Sequence, residues 1–429
     1  MKKIIVVSLV FIAAFAKISL AQNPTPAPAN TGSILISGGT IHVGNGKIIE
    51  NGFIRIEKNK IVSIGSMTNI RLQKADKMID ANGKQIYPGL IAANTTLGLL
   101  EIEEARATRD NVEVGNLNPN VRSIIAYNTD SKIIPTVKFN GVLMAQIVPQ
   151  GGLVSGLSSV VQLDAWNWED AVMLMDGGLH IRFPSLTIYR GTENNDEINN
   201  RWKEQMNELE KLFNDAKSYT ATEKKENKNL KLDAVVPVLS GIRKAYVHVH
   251  TAKEILAAMV FIKKYNLHGV LVDAEESYLV ADEIAAAKIP VILSSTHSMS
   301  QRNDDDIQQP YKTPTVLQKA GVLFCLEHKD WSGNQRNLAF VAGTAAAYGL
   351  QKEEALQSVT LNAAKILGVD NLAGSLEEGK DATLLICSGD LLDMKSNKIE
   401  TAMIGGRIIS LENGQKFLYE KYKKKYGVN

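Results

Sequence analysis

The stretch 269–294, GVLVDAEESYLVADEIAAAKIPVILS, contains the pattern that decides the fold of this chain. It begins with an apolar run at 269–273, continues with an amphipathic run at 277–287 and ends with a second apolar run at 291–294. A strand, a helix and a second strand in this order are typical of a parallel βαβ unit. The stretch therefore predicts an α/β protein built around a parallel sheet.

The same alternation extends to both sides of this stretch. Further strand-like runs lie at 89–96, 142–148, 160–163, 179–183, 246–250 and 322–326. Together with the first two strands they number about eight, as in a closed β/α barrel of the TIM type. A long charged run at 201–231 interrupts the alternation and predicts a helical insertion.

Short strands with turn formers between them occupy the two ends of the chain. They lie at 34–36, 40–43, 53–56 and 61–64, and they return at 382–387 and 401–404. Because these segments are similar in kind and flank the barrel, they predict one small composite β-sandwich domain formed by both chain ends. The expected divisions are a signal peptide at 1–21, a linker at 22–32, the β domain at 33–87 and 371–412, the barrel at 88–370 and a tail at 413–429.

Residues 1–21 have the pattern of a cleaved signal peptide. Lys2 and Lys3 precede an apolar run at 4–16 that is short for a membrane span, and Ser19 and Ala21 fit cleavage after Ala21. We expect a mature protein in the periplasm or outside the cell, without a membrane anchor.

Composition and cysteine content limit the classes of partner. Of 429 residues, 45% are hydrophobic and 22% charged, as in a folded globular protein. The formal net charge of +2 does not favour nucleic acid as a partner, so we expect a small-molecule substrate or ligand. The two cysteines, Cys325 and Cys387, lie in apolar strand-like runs and are either buried free thiols or one disulfide.

Three phrases in the chain resemble the amidohydrolase superfamily, especially its exported imidazolonepropionase-like members. They are IDANGK at 79–84 followed by YPGLI at 87–91, TLNAAKILG at 360–368 and GSLEEGKDA at 374–382. The resemblance covers nearly the whole mature chain. It implies metal-assisted hydrolysis of non-peptide carbon–nitrogen bonds at the carboxyl ends of the barrel strands, and relatives often form homodimers.

The first barrel strand departs from the family pattern. After Pro-Gly-Leu-Ile the family has Asp-x-His-x-His, whereas this chain has Ala92, Asn94 and Thr96 at those positions. Amide and hydroxyl oxygens are poor zinc ligands beside imidazole. No histidine occurs between His42 and His180 that a different alignment could supply.

The resemblance implies further site residues on later strands. His250 matches the fifth-strand histidine, Asp273 replaces the sixth-strand histidine, and Glu327 or Asp330 replaces the last-strand aspartate. Gln162 matches the strand end that carries a metal-bridging lysine in many relatives. His250, Asp273 and Asp330 could therefore hold one zinc-like divalent ion, with Asp273 and Asp330 catalytic. The alternative is that they are leftover polar groups at the barrel mouth and bind no metal.

Two functions remain open at this stage. The first is a hydrolase of carbon–nitrogen bonds in a small cyclic or amide substrate. The second is a metal-free, catalytically silent binding or scaffold protein that keeps the barrel pocket. In either case the candidates for contacting a ligand are Asn94, Thr96, Trp166, Trp168, Arg336 and Asn337.

Overall fold

The structure is a computed structural model that describes residues 24–68, 74–186, 195–220, 228–294, 296–300, 302–329 and 331–427. The predicted signal peptide at 1–21 and the candidate Asp330 lie outside the described residues. Within these ranges, no helix has both the length and the apolar character needed to cross a membrane.

In the part of the chain that the structure describes, sixteen strands form two sheets. They are β1 Ser33–His42, β2 Ile48–Glu57, β3 Lys60–Ser66, β4 Lys77–Asp80, β5 Gln85–Pro88, β6 Leu90–Thr95, β7 Val142–Ile147, β8 Val154–Gln162, β9 Val172–Arg182, β10 Lys244–Val249, β11 Gly269–Asp273, β12 Val291–Leu293, β13 Phe324–Leu326, β14 Leu384–Cys387, β15 Ile399–Ile404 and β16 Arg407–Ile408.

Helices connect the barrel strands and cover the outside of the barrel. The α-helices of the described ranges are α1 Ile134–Phe139, α2 Trp168–Ala171, α3 Asn195–Thr220, α4 Leu230–Leu239, α5 Ala252–Lys264, α6 Ala281–Ala287, α7 Gln309–Ala320, α8 Leu338–Ala347, α9 Lys352–Ser358, α10 Leu361–Leu367 and α11 Gly414–Tyr426. Short 3₁₀ segments lie at Arg106–Thr108, Ser123–Ala126, Glu275–Leu279 and Ser332–Asn337. Helix α3 forms most of the described part of the charged insertion that the sequence predicted at 201–231, and α4 follows it before β10.

Both chain ends contribute to the first sheet. Its order is β16-β15-β14-β5-β1-β2-β3, with β4 pairing with β1, and β14 lies antiparallel to β5. Alternate residues of these strands, among them Ile36, Ile54 and Leu384, form its buried core. The prediction of a composite β domain built from both ends is confirmed.

The second sheet is a nearly closed barrel of eight strands in the order β6 to β13. Neighbouring strands are parallel except around β8, which is antiparallel to both β7 and β9. The α/β fold and the eight-stranded barrel predicted from the sequence are confirmed. The reversal of β8 was not predicted, and it moves several candidate residues.

The barrel interior has an apolar lower half, toward the amino ends of the parallel strands, and a polar upper half, toward their carboxyl ends. Ile91, Met144, Val270 and Val272 fill the lower half, and α10 packs against them. Leu271, between the two valines, points outward into the layer of helices. Each such side chain contributes about 1.5–3 kcal/mol through its burial. The stable lower half supports polar side chains at the carboxyl ends of the strands.

Candidate active site at the barrel mouth

Three side chains on neighbouring strands form a buried line of hydrogen bonds. His180 Nδ1 on β9 lies 3.0 Å from His248 Nε2 on β10, and His248 Nδ1 lies 3.0 Å from Asp273 Oδ2 at the end of β11. All three side chains are buried. Because β9, β10 and β11 are parallel, their polar residues meet in the same part of the barrel.

The line continues through two polar residues to the first barrel strand. Ser158 Oγ lies 2.8 Å from His180 Nε2, and Gln146 Nε2 donates to Ser158 Oγ at 3.0 Å. Gln146 Oε1 accepts a hydrogen bond from the Asn94 backbone N–H at 3.1 Å. An ionised carboxylate can only accept, so with both imidazoles neutral the direction is set from Asp273: His248 donates to Asp273, His180 to His248 and Ser158 to His180. Each group therefore donates to the next, and the line ends on the Asp273 carboxylate.

Electrostatics agree with this direction. Burial, and then the neighbouring His248, hold the pKa of His180 well below its usual range. Burial also lowers the pKa of His248, although Asp273 opposes that shift. Burial would raise the pKa of Asp273, but the hydrogen bond from His248 and the charge of Lys329 outweigh burial and hold this pKa well below its usual range. Both imidazoles are therefore neutral near pH 7 while Asp273 is ionised.

Lys329 places a positive charge beside this carboxylate. Its Nζ lies 3.1 Å from Asp273 Oδ1 and 2.9 Å from Glu275 Oε1. Burial acts to lower the pKa of Lys329, but the charges of Asp273 and Glu275 outweigh it and raise this pKa above its ordinary value. The side chain is 43% exposed, so a charged ammonium group faces the open end of the barrel.

A second histidine–carboxylate pair lies closer to solvent. His250 Nδ1 is 2.8 Å from Glu275 Oε2, and its side chain is 43% exposed. The turn that carries His250 is held by a capping box, in which Thr251 and Glu254 bond to each other's backbone at the start of α5. Glu254 also accepts a hydrogen bond from the His250 backbone N–H at 2.9 Å. The position of this imidazole is therefore set by the beginning of the helix.

Glu327 is a fully buried acid directly after β13. Among the described residues, no hydrogen bond of ordinary geometry reaches either of its carboxylate oxygens. Burial, and then the negative charge of Asp273, raise the pKa of Glu327 well above its usual range, while the nearby Asn94 amide opposes the shift. Glu327 and Asp273 thus form a pair of carboxyl groups with widely separated proton affinities.

Backbone strain is concentrated at the same end of the barrel. Asn94, Asp273 and Ala274 all have positive φ, at 49°, 68° and 44°. Such conformations cost a non-glycine residue about 1–3 kcal/mol and often occur where function requires a fixed geometry. Two of the three are at the junction of β11 with its loop, which places the Asp273 carboxylate against His248 and Lys329.

Residues 155–409, more than half of the chain, match the model of the amidohydrolase family. The chain belongs to the amidohydrolase family. No protein of curated function matches the sequence.

Solved structures of other amidohydrolase-fold proteins are similar over most of the chain. An amidohydrolase from Thermotoga maritima MSB8 has a TM-score of 0.77 and 25% identity, covering 88% of this chain and 99% of its own. A prolidase complexed with N-methylphosphonate-L-proline has a TM-score of 0.54, 14% identity and coverage of 88% and 99%. A zinc-bound adenosine deaminase from Xanthomonas campestris has a TM-score of 0.52, 12% identity and coverage of 94% and 98%. The last two are similar in fold alone.

Only part of the predicted metal site comes together in this amidohydrolase. Asp273 lies at the mouth as predicted, but its partners are His248 and Lys329, whereas His250 pairs with Glu275. Across the described residues, no group of three or more His, Cys, Asp or Glu side chains is placed to hold a metal ion. Asp330, the third predicted ligand, lies outside the described residues.

The reversed strand β8 moves three candidates away from the mouth. Gln162 at the end of β8 pairs with Met144 near the start of β7, so the connection that follows it lies at the amino end of the barrel. Trp166 and Trp168 belong to this connection. The sequence placed all three at the mouth because it treated the strand before them as parallel, and the structure corrects that placement.

The other ligand-binding candidates lie in different surroundings. Thr96 remains at the mouth, where its hydroxyl hydrogen-bonds to Ser332 Oγ at 2.8 Å. Arg336 and Asn337 end the 3₁₀ segment before α8, and the Arg336 carbonyl accepts a hydrogen bond from Asn140 at the end of α1. Within the described ranges, no hydrogen bond joins either residue to the His180–His248–Asp273 line.

Sequence reasoning missed His180, His248 and Lys329 as site residues. In VHVH at 247–250 the two histidines are two residues apart, so a continuous strand would point both to the same face. The strand ends at Val249, so only His248 lies inside the barrel. The Thr251 and Glu254 capping pattern could have marked that end. His180 was not predicted as a site residue because the direction of β8, and hence the orientation of β9, cannot be read from the local sequence.

Proposed function

We propose that this chain is an exported, imidazolonepropionase-like hydrolase of non-peptide carbon–nitrogen bonds in a small cyclic or amide substrate. The observation that carries the proposal is the partly exposed His250–Glu275 pair beside the charged Lys329 at the open end of the barrel. Membership of the amidohydrolase family supports a hydrolytic reaction at this end.

The proposed chemistry uses the His250 imidazole and the Lys329 ammonium group at the open end of the barrel. With His250 Nδ1–H donating to Glu275, the free Nε2 of the neutral imidazole accepts a proton from an attacking water molecule. The Lys329 ammonium group then stabilises the negative charge that develops on the substrate carbonyl oxygen. Asp273, through its ion pair, keeps the ammonium group at the mouth.

Assays on purified full-length mature protein test this proposal. A panel of cyclic amides, N-acyl amino acids and amidines is incubated with the protein, and release of the free acid or amine is followed by mass spectrometry. We expect turnover of at least one class, reduced about 10²-fold in kcat/KM by His250→Ala and by Glu275→Gln. His268→Ala, an exposed histidine just before β11, is the matched control. Equal activity in His250→Ala would overturn the proposed role.

A second function is favoured by the altered first strand. Asn94 and Thr96 replace the expected histidines, and the Thr96 hydroxyl is bonded to Ser332. A barrel that binds its ligand without converting it would show saturable binding by calorimetry and no product with any member of the panel. Turnover that His250→Ala removes would exclude this second function.

Export and the type of partner are part of the same proposal. We propose cleavage after Ala21, release of the mature chain into the periplasm or the medium without a membrane anchor, and a small-molecule partner with no role for nucleic acid. N-terminal sequencing of the protein from a periplasmic fraction should begin at Gln22. Analytical ultracentrifugation of this material decides between a monomer and the expected homodimer.

A further inference from the structure

We infer that Lys329 is a built-in cation that takes the place of a divalent metal ion at this barrel mouth. The inference concerns the site of the proposed function and deepens it, since it states how that site is charged. Metal content is measurable without any substrate, so the two proposals can fail separately.

The first argument concerns the nitrogen atoms of the two buried histidines. His180 uses Nε2 for Ser158 and Nδ1 for His248, and His248 uses Nε2 for His180 and Nδ1 for Asp273. Because all bonds point toward Asp273, the only lone pairs, those on the two Nε2 atoms, already accept hydrogen bonds. A metal ion can bind only a nitrogen with a free lone pair, so neither histidine is available without breaking the line.

The second argument concerns charge. Both Asp273 oxygens are occupied, Oδ2 by His248 and Oδ1 by Lys329. The Lys329 ammonium group bridges Asp273 and Glu275, where a divalent ion would otherwise neutralise two carboxylates. A divalent ion beside this ammonium group would be repelled by it.

The third argument concerns the first barrel strand. Its contribution to the mouth consists of the Asn94 amide and the Thr96 hydroxyl, and the latter is bonded to Ser332. The Asn94 backbone N–H is used by Gln146, which anchors the far end of the hydrogen-bonded line. The strand that carries paired imidazoles in the family pattern therefore anchors one end of the hydrogen-bonded line instead.

Metal analysis and thermal unfolding test the inference on the full mature chain. Protein purified without chelator is analysed by inductively coupled plasma mass spectrometry, and melting is recorded with added zinc and with EDTA. We expect essentially no bound metal, and a melting temperature that changes neither with added zinc nor with EDTA. About one metal ion per chain, with melting lowered by EDTA, would overturn the inference.

Variants of Lys329 test its part in the site. Lys329→Met should lower the melting temperature by about 2–4 °C, because it leaves the buried Asp273 carboxylate without its cation. Lys329→Arg should restore most of the loss. The control is Lys312→Met, which removes an exposed ion pair with Asp306. A Lys329→Met protein that melts like the control would contradict the assigned role.

The activity assays separate this inference from the proposed function. If the metal-free protein has no activity on the panel, the proposed hydrolytic function is contradicted, while the inference about Lys329 stands. If EDTA abolishes turnover and zinc restores it, hydrolysis stands and the built-in cation is overturned.

Discussion

Asp164 and Lys138 form an ion pair of 2.8 Å in which the two side chains are only 1% and 4% exposed. Arg407 of β16 also reaches Asp164, with 3.2 Å between Nη1 and Oδ2. This cluster therefore joins the amino end of the barrel to the C-terminal part of the β domain. Two cations converge on one buried carboxylate, so its loss leaves Lys138 without its ion-pair partner and Arg407 with only uncharged acceptors.

We therefore expect Asp164→Asn to lower the free energy of unfolding by about 3 kcal/mol. Urea denaturation followed by circular dichroism measures the change. Asp170→Asn, at an exposed position in the same connection, is the control and should change stability by less than about 0.5 kcal/mol. Equal midpoints for the two variants would show that the cluster does not hold the domains together.

Glu327 should destabilise the protein near neutral pH. Burial, the main cause, raises its folded pKa well above the ordinary value of a glutamate. Between the unfolded and folded pKa values the native state binds a proton that the unfolded chain has released, so stability falls as pH rises through this window. The loss is about 1.4 kcal/mol for each unit of pKa difference.

Glu327→Gln removes this titration. The variant should be more stable than the wild type at pH 7–8, and the difference should shrink as the pH approaches about 4.5, the ordinary pKa of a glutamate. Thermal melts across this pH range measure it, with the exposed Glu169→Gln as control. A difference that does not depend on pH would mean that Glu327 is ionised in the folded protein.

The pKa of His250 should depend on Glu275. Burial acts to lower this pKa, but the hydrogen bond and charge of Glu275 outweigh it and raise the pKa above 6.5. The charged pair stabilises the fold fully below about pH 6.5, and this contribution is lost as the pH rises through the folded pKa. Activity should instead rise through the same pKa, because the neutral imidazole is the base.

Glu275→Gln should therefore move the His250 titration to lower pH. Two-dimensional NMR of the imidazole carbon-bound protons follows each histidine separately. His268, which precedes β11 at the amino end of the barrel, serves as an internal control for the spectra. An unshifted His250 resonance in the variant would contradict the pairing.

The directed hydrogen-bond line makes a prediction about Ser158. In this direction its hydroxyl donates to His180 Nε2, so Ser158→Ala removes the close donor and leaves only the Gln146 amide at 3.5 Å. We expect a loss of about 1–3 kcal/mol in the free energy of unfolding. The exposed Ser240→Ala is the control, and chemical denaturation is the measurement. A loss no larger than in the control would argue against this hydrogen bond.

The two cysteines are free and buried, and they pack in different clusters. Burial raises the pKa of Cys325 and, to about 12, that of Cys387. Neither thiol should react with a disulfide reagent until the protein unfolds, when both should react at once. A reductant-sensitive change in mobility would instead show a disulfide.

How much of this structure was predictable depends on whether the signal is local. The period of two in the end strands and the strand–helix–strand pattern at 269–294 are local, so the barrel and the composite β domain followed from the sequence. The direction of β8 is a tertiary property, and it decided on which side Gln162, Trp166 and Trp168 lie. The choice between His248 and His250 required the exact end of β10. Lys329 carries no motif, and only its neighbours in space reveal its part.

Because β8 is reversed, two tryptophans lie at opposite ends of the barrel and can serve as intrinsic fluorescence probes. Trp166, in the connection after β8, lies beside the Asp164 cluster at the amino end of the barrel, while Trp331 follows Lys329 at the opposite end. They are 66% and 38% exposed. Single-tryptophan variants that keep either Trp166 or Trp331 can therefore report, without an added label, on loosening of the domain junction or on ligand binding at the mouth.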